Sequence, residues 1–266
     1  MMDLRAEAQR LFQVAVAAAD PARALSRAFL TTPPTRPVGD GKLLLIAVGK
    51  AAIPMAETAL AALGDTRVQA LIVTNAENAR PVAGAEVMPA GHPVPDAKGE
   101  AAGQAVAGLL QSAGPNDRVL ALISGGGSAL LPAPAPGLTL ADKIAVNRLL
   151  LANGFEITEI NLIRQQLSRL KGGGMLHLAA PAPVEAYILS DVIGDDLRAI
   201  ASGPTVAPLG TRAEARALLQ TRGLWRDLPA AVQDHLSRPA PEATPAPPAR
   251  NLLIGSNRLS LAAMID

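Results

Sequence analysis

Apolar residues recur in two registers along the chain. Over residues 3–30 they fall at Leu4, Leu11, Val14, Ala18, Leu25 and Ala28, spacings that put them on one stripe of a helix. Asp20 followed by Pro21 has the form of an N-cap and a first helical residue, so two helices are expected to meet there. A Pro/Thr segment over 31–37 ends them.

From residue 43 the register changes. Short uninterrupted apolar runs at 43–48, 70–74, 119–124, 185–190 and 251–255 alternate with amphipathic stretches predicted as helices over 51–63, 98–112, 139–152, 157–170 and 211–221. Continuous apolar runs of this length are strands buried on both faces. Their alternation with helices predicts an α/β fold: an open, doubly wound, mostly parallel sheet with helices on both faces, Rossmann-like in plan. Ligands of such sheets sit outside the carboxyl ends of the strands, so the turns after the apolar runs are where chemistry is expected. The organisation predicted is an α/β domain over 1–238, a stiff, solvated Pro-rich linker over 239–250, and a strand with a helix start over 251–266.

Composition narrows the function. Hydrophobic residues make up 49% of the 266, yet there is one Trp, one Tyr and three Phe, so the core must be built from Leu, Val, Ile and Ala. With 24 Lys+Arg against 23 Asp+Glu the net charge is +1, which supplies no global field for nucleic acid or an anionic membrane. Any anionic ligand has to be held locally. The absence of Cys removes disulfides, thiolate nucleophiles and Cys-ligated metal, and fits a reducing compartment. Asp3, Arg5, Glu7 and Arg10 interrupt any signal-peptide core, and no 18 apolar residues run uninterrupted, so a cytoplasmic protein is expected.

Three stretches at strand ends and one predicted helix carry candidate chemistry. The first run ends AVGKAA, which sets Lys50 at a helix N-terminus, where amide donors and the helix dipole already favour an anion. The competing reading is a solvated surface lysine. The third run ends LISGGGSALL: Gly125, Gly126 and Gly127 let the backbone approach a ligand closely, and Ser124 and Ser128 add hydroxyls, as in a phosphate cradle. The stretch is not a Walker A loop, it fails GxGxxG because Leu130 stands at the last glycine, and it fails the GxSxG nucleophile elbow at the same residue. The fourth run ends ILSDVIGDDLRAIASGPTV, placing Asp191, Asp195 and Asp196 within six residues. Carboxylates there can hold Mg²⁺ or accept a hydroxyl proton, and Asp191, directly at the strand end, is the better catalytic candidate; Asp195 or Asp196 could instead cap a helix. Finally, in NLIRQQLSRLKGGGM the residues Asn161, Arg164, Ser168 and Lys171 are spaced as one polar helix face running into Gly172 and Gly173. Among the three histidines, His92 in the rigid GHPVPD turn is the one expected to touch substrate; His177 and His235 lack metal-ligand spacing.

GKAA (49–52), GHPVPD (91–96), LISGGGSALL (122–131), GLTLADKIAVNRLLL (137–151), NLIRQQLSRLKGGG (161–174), SDVIGDDLRAIASGPTV (190–206) and IGSNRLSLAA (254–263), in that order, resemble the MOFRL-type glycerate 2-kinase family. Its members also carry the label hydroxypyruvate reductase. The resemblance implies transfer of the γ-phosphoryl group of ATP to the 2-hydroxyl of D-glycerate, with Mg²⁺. It assigns Lys50 to phosphate or transition-state charge and Asp191 to the acceptor hydroxyl. Ser124, Gly125, Gly126, Gly127 and Ser128, with Lys171, Gly172 and Gly173, would bind phosphate; Arg164 and His92 would meet substrate; Asp195 or Asp196 would reach Mg²⁺. It implies a small-molecule partner, with a homodimer left open. Family members continue into a second domain that is largely absent from these 266 residues, and Gly174 stands where the family's KGG is followed by Arg.

Three rivals follow from the same residues. An NAD(P)H-dependent reductase would need a GxGxxG turn with an acidic ribose partner about 20 residues on, which no strand supplies. A serine hydrolase would use Ser128 and needs a His and Asp in range. A non-catalytic nucleotide-binding module is the third reading.

Overall fold

In a computed structural model, residues 3–240 and 247–265 are described. Two helices, α1 (Leu4–Ala18) and α2 (Pro21–Thr31), open the chain. Asp20 caps the second by accepting from the Arg23 amide at 2.8 Å, with Pro21 in its first turn. The expected meeting point is therefore where the sequence put it.

Six strands follow: β1 (Leu43–Val48), β2 (Val68–Asn75), β3 (Ala85–Ala90), β4 (Arg118–Ile123), β5 (Val184–Leu189) and β6 (Arg250–Gly255). They form one parallel sheet in the order β3-β2-β1-β4-β5-β6. Chain order reverses between β1 and β4, so the crevice that a doubly wound sheet offers a ligand opens at the carboxyl ends of these two strands. The expectation of an open, doubly wound α/β sheet holds. β3 is the strand that hydropathy did not reveal: AEVMPA is half-exposed, and Pro89, which has no N–H to donate, is tolerated because β3 lies at the sheet edge. At the other edge, the strand beyond the Pro-rich stretch pairs with β5. Of the predicted linker, residues 241–246 lie outside the described residues.

Every residue of β1 is buried, and its side chains divide by parity. Leu43, Leu45 and Ala47 join α2 and α3 (Ala52–Leu63) in one apolar layer, while Leu44, Ile46 and Val48 join α4 (Ala97–Gln111) and α8 (Gly174–Ala179) on the opposite face. Burying each Leu is worth about 1.5–3 kcal/mol, which is why an uninterrupted apolar run is needed where both faces are covered. Tyr187 crosses into the first layer, meets Phe29 edge-on at 5.0 Å and donates its hydroxyl to the Thr32 carbonyl at 2.6 Å.

A third apolar cluster is built from helices and the turns that join them. Val146 and Leu150 of α6 (Leu140–Ala152), Ile160 and Ile163 of α7 (Ile157–Gln166), Ala215 and Leu219 of α9 (Arg212–Thr221), and Val232 and Leu236 of α10 (Ala230–Ser237) pack together. This cluster stands beside the carboxyl ends of the strands and supplies the second wall of the crevice.

One predicted helix is too long. The stretch over 157–170 ends at Gln166, because residues 167–169 leave the helix to pair with 133–135: the Ala135 amide donates to the Leu167 carbonyl and the Arg169 amide to the Ala133 carbonyl. Ser168 and Lys171 therefore do not continue the helical face that carries Asn161 and Arg164.

Candidate active site

Four strand-end turns, those after β1, β3, β4 and β5, meet in the crevice. After β1, Gly49 turns the chain and Lys50 donates its amide to the Gly125 carbonyl at 2.9 Å, so the first and third motifs are stitched together through backbone. Asn78, beyond β2, clasps the Lys50 carbonyl at 3.0 Å and is itself held to Asn75. The Lys50 side chain is left exposed.

After β4 the glycine loop runs into a single helical turn, α5 (Gly127–Leu130). Asp191, leaving β5, lies so close to Gly125 that a β-carbon there would overlap its carboxylate. Gly126 adopts φ +87°, and a β-carbon on it would stand 3.2 Å from the His92 ring and 3.4 Å from the Lys50 side chain. Glycine at these two positions is what lets Lys50, His92 and Asp191, from three separate loops, gather over one stretch of backbone.

The cavity next to this cluster has a volume of about 300 Å³ and is lined by His92, Gly126, Ser128 and Asp191 on the strand side and by Lys143, Asn147, Arg164 and Lys171 on the helical side. Its cations are all anchored. Lys171 is buried and donates to the carbonyls of Ser128 and Leu131 at 2.7 and 3.1 Å. Lys143 donates to the Leu167 carbonyl at 2.9 Å. Arg164 presents Nε and Nη2 to the side-chain oxygen of Asn147. None of the ion pairs among the described residues involves these three or Lys50.

Such crowding has an electrostatic signature. Burial, and then Arg164, push Lys143 down to about 7, while burial, then Lys143 and Arg164, hold Lys171 well below the ordinary lysine value. Burial, with Lys50 next, also lowers His92, so that a neutral imidazole faces the cavity near neutrality. An anion would relieve the repulsion that these groups share.

The remaining predicted residues are placed elsewhere or otherwise employed. Ser124 is buried, accepts from the Ala51 amide at 3.1 Å and donates to the Val48 carbonyl at 3.3 Å, so it ties β4 to the turn after β1 and does not face the cavity. Gly172 and Gly173 spend their amides on the Ser202 and Gly203 carbonyls at 3.1 and 2.8 Å, and Gly173 caps the start of α8. They shape the fold behind Lys171 and are not brought to the cavity. Gly127 packs against Ala201, and Ser128 shares a 2.8 Å hydrogen bond with Ser202, which donates on to Asn161.

Asp196 is engaged by the Arg198 guanidinium, which holds its carboxyl below the ordinary value, and it accepts the Arg198 amide at 2.9 Å. Asp195 forms none of the ion pairs among the described residues. No group of three or more His, Cys, Asp or Glu able to hold a metal occurs among those residues. His235 meets the Gln166 carbonyl at 2.8 Å, inside the helical cluster.

Lys143 and Asn147 escaped sequence reading. The available signal was their i, i+4 spacing beside the buried positions Val146 and Leu150 of α6, which sets two polar side chains on the flank of an apolar face.

A larger cavity, about 580 Å³, lies between α2 and α3 and is lined by Phe29, Leu30, Pro33 and Leu63 among others. Its lining offers one ionisable side chain, Arg36, and no strand end reaches it. Among the described residues no helix is long and apolar enough to cross a membrane.

A family model described as a domain of unknown function, DUF4147, matches residues 7–237. The chain is 39% identical over 288 aligned residues to a protein of Homo sapiens named "Glycerate kinase", covering 98% of this chain and 55% of the relative. It is 43% identical over 221 residues to a protein of Agrobacterium vitis named "Putative hydroxypyruvate reductase", covering 83% of this chain and 49% of the relative. The crystal structure of a glycerate kinase of Thermotoga maritima superposes with a TM-score of 0.88 at 31% identity, over 98% of this chain and 61% of that one. The chain thus spans about half the length of the curated relatives it matches.

Proposed function

The chain belongs to the DUF4147 family, and on that premise we propose that it carries the strand-end half of a glycerate 2-kinase, which transfers the γ-phosphoryl group of ATP to the 2-hydroxyl of D-glycerate and releases 2-phosphoglycerate and ADP. One observation carries the proposal. Lys50, His92 and Asp191 converge over Gly125 and Gly126 beside a cavity of small-molecule size whose cations form none of the ion pairs among the described residues. The kinase names of the relatives agree with it.

Phosphoryl transfer asks a protein mainly for positioning and charge. The Asp191 carboxylate accepts the proton of the acceptor hydroxyl. The oxygen so freed forms the new O–P bond while the bond to the β-phosphate oxygen breaks and ADP departs. Lys50, exposed at the start of α3, steadies the negative charge on the transferring group. His92, neutral near pH 7, lines the substrate side.

The donor set suits Mg²⁺ carried by the nucleotide, an ion that keeps waters and takes only one or two carboxylates beside phosphate. Asp195 would hold it and Asp196, engaged by Arg198, would not; the ion would neutralise phosphate charge. The absence of Cys agrees with a cytosolic location.

The experiment is phosphorus NMR of D-glycerate with MgATP and the product of the complete gene. Formation of 2-phosphoglycerate with ADP supports the proposal, and a folded protein that yields neither overturns it. The name carried by the Agrobacterium vitis relative favours a second reading, reduction of hydroxypyruvate, which NADH oxidation by the same preparation would reveal.

A further inference from the structure

The cations of the cavity fall into two kinds. Lys171 makes two hydrogen bonds to carbonyls at the end of α5 and is buried, so its work is to hold the glycine loop. Among the described residues Lys143 makes one, to the Leu167 carbonyl, although an ammonium group has three N–H donors. Arg164 commits Nε and Nη2 to Asn147, out of five donors, so one edge of its fork is fixed and the rest is unspent. Both half-buried side chains line the cavity that Asp191 lines from the other side.

We infer that Lys143 and Arg164, the latter aimed by Asn147, form the subsite for the carboxylate of a small 2-hydroxy acid, whose hydroxyl then lies towards Asp191 across the same cavity. The inference rests on the kinase reading above and gives the substrate its direction.

Three considerations favour a carboxylate of the acceptor over a phosphate of the nucleotide. The cavity, at about 300 Å³, stands at the lower limit of ligand pockets, which suits a three-carbon acid and is small for a nucleotide. Asp191 is the one carboxylate in its lining, so a single small molecule with an acid at one end and a hydroxyl beside it matches both walls. A planar guanidinium with one edge fixed is suited to a planar carboxylate. The cost of the arrangement calls for an anion of either kind, since like charges packed together destabilise the empty protein and a ligand that neutralises them offsets that cost. Burial and Arg164 lower the Lys143 ammonium to about 7, and a carboxylate between them would restore its proton.

Calorimetry on the product of the complete gene, using D-glycerate and its uncharged carboxamide, glyceramide, tests binding without turnover, and steady-state kinetics supply KM and kcat. Lys143→Met should weaken D-glycerate binding by about 10- to 100-fold, the range for loss of a charge-assisted hydrogen bond. It should leave the weak binding of glyceramide unchanged. Asn147→Ala, which frees the Arg164 fork, should raise the KM for D-glycerate more than it lowers kcat, again sparing glyceramide. Thermal melting shows that each variant is folded.

Wild-type affinity for D-glycerate in Lys143→Met, equal losses for acid and amide, or a rise confined to the KM for ATP would each overturn the subsite. If D-glycerate binds through Lys143 and yet no 2-phosphoglycerate forms, the kinase reading fails and the subsite stands.

Discussion

The Lys171 ammonium reaches across the crevice to the Ser128 carbonyl at 2.7 Å, the shortest tie between the glycine loop after β4 and the segment that follows α7. With its second bond to Leu131 it fixes both ends of the turn that begins SGGGS. Lys171→Met leaves two carbonyls without this donor, at about 1–3 kcal/mol for each group that stays dry. Urea unfolding should show a loss of that order, and an unchanged midpoint would mean that the loop is held by other contacts.

The crowding of Lys143 fixes a pH dependence. Its folded value is about 7 and its ordinary value 10.5, so between the two the unfolded chain binds more protons than the folded one. Stability contributed by this residue therefore rises with pH across that window and is flat below it. Lys171, also lowered, adds to the same slope. Chemical denaturation at pH 7 and pH 9 should show wild type gaining more than Lys143→Met, and equal gains would contradict the lowered Lys143 ammonium.

Lys50 and Asp191 are exposed at the ends of β1 and β5, so replacing them should cost little stability. Lys50→Ala and Asp191→Asn should each lower kcat by about 10²- to 10⁴-fold in the complete enzyme, the range for a general base or a single charge-stabilising donor. Near wild-type turnover in either would remove that residue from the mechanism.

Gly125→Ala reports on the same site without replacing a charged side chain. Its methyl would displace the Asp191 carboxylate, so activity should fall by about 10²-fold, as it does when reacting groups are misplaced by an ångström. An active Gly125→Ala enzyme would show that Asp191 works from another position.

Ser124 gives the contrasting case. Ser124→Ala withdraws the acceptor of the Ala51 amide at the start of α3, at a cost of about 1–3 kcal/mol in stability. Its effect on nucleotide affinity should be negligible, because the hydroxyl faces Val48 and Ala51 and not the cavity. Selective loss of ATP affinity would return Ser124 to the binding site.

Hydropathy alone determined the α/β class, because a strand covered on both faces must be apolar throughout, as β1 is, and helices between such strands make the sheet parallel. Local chemistry likewise settled the break at Asp20 and Pro21, and the motif order was enough to mark the family. Lys50 and Asp191 stood out as candidates because they stand just past the ends of apolar runs, and the fold brings both to the Gly125–Gly126 turn. The edge strand β3 did not stand out, since a half-exposed strand carries no uninterrupted run.

What only the tertiary structure decided is the difference between neighbours that look alike in sequence. Ser124 and Ser128 flank the same three glycines, yet one is buried between β1 and β4 and the other lines the cavity. Asp195 and Asp196 are adjacent, and one is taken by Arg198. The helix expected to carry Arg164 and Lys171 together stops at Gln166, and the two meet again in the cavity because residues 167–169 pair with 133–135 and fold Lys171 back. Lys143 joins them from α6, a separate helix. Periodicity specifies which face of an element is apolar; which polar residues share a site depends on pairings between segments far apart in the chain, and a pattern local to one segment does not encode these.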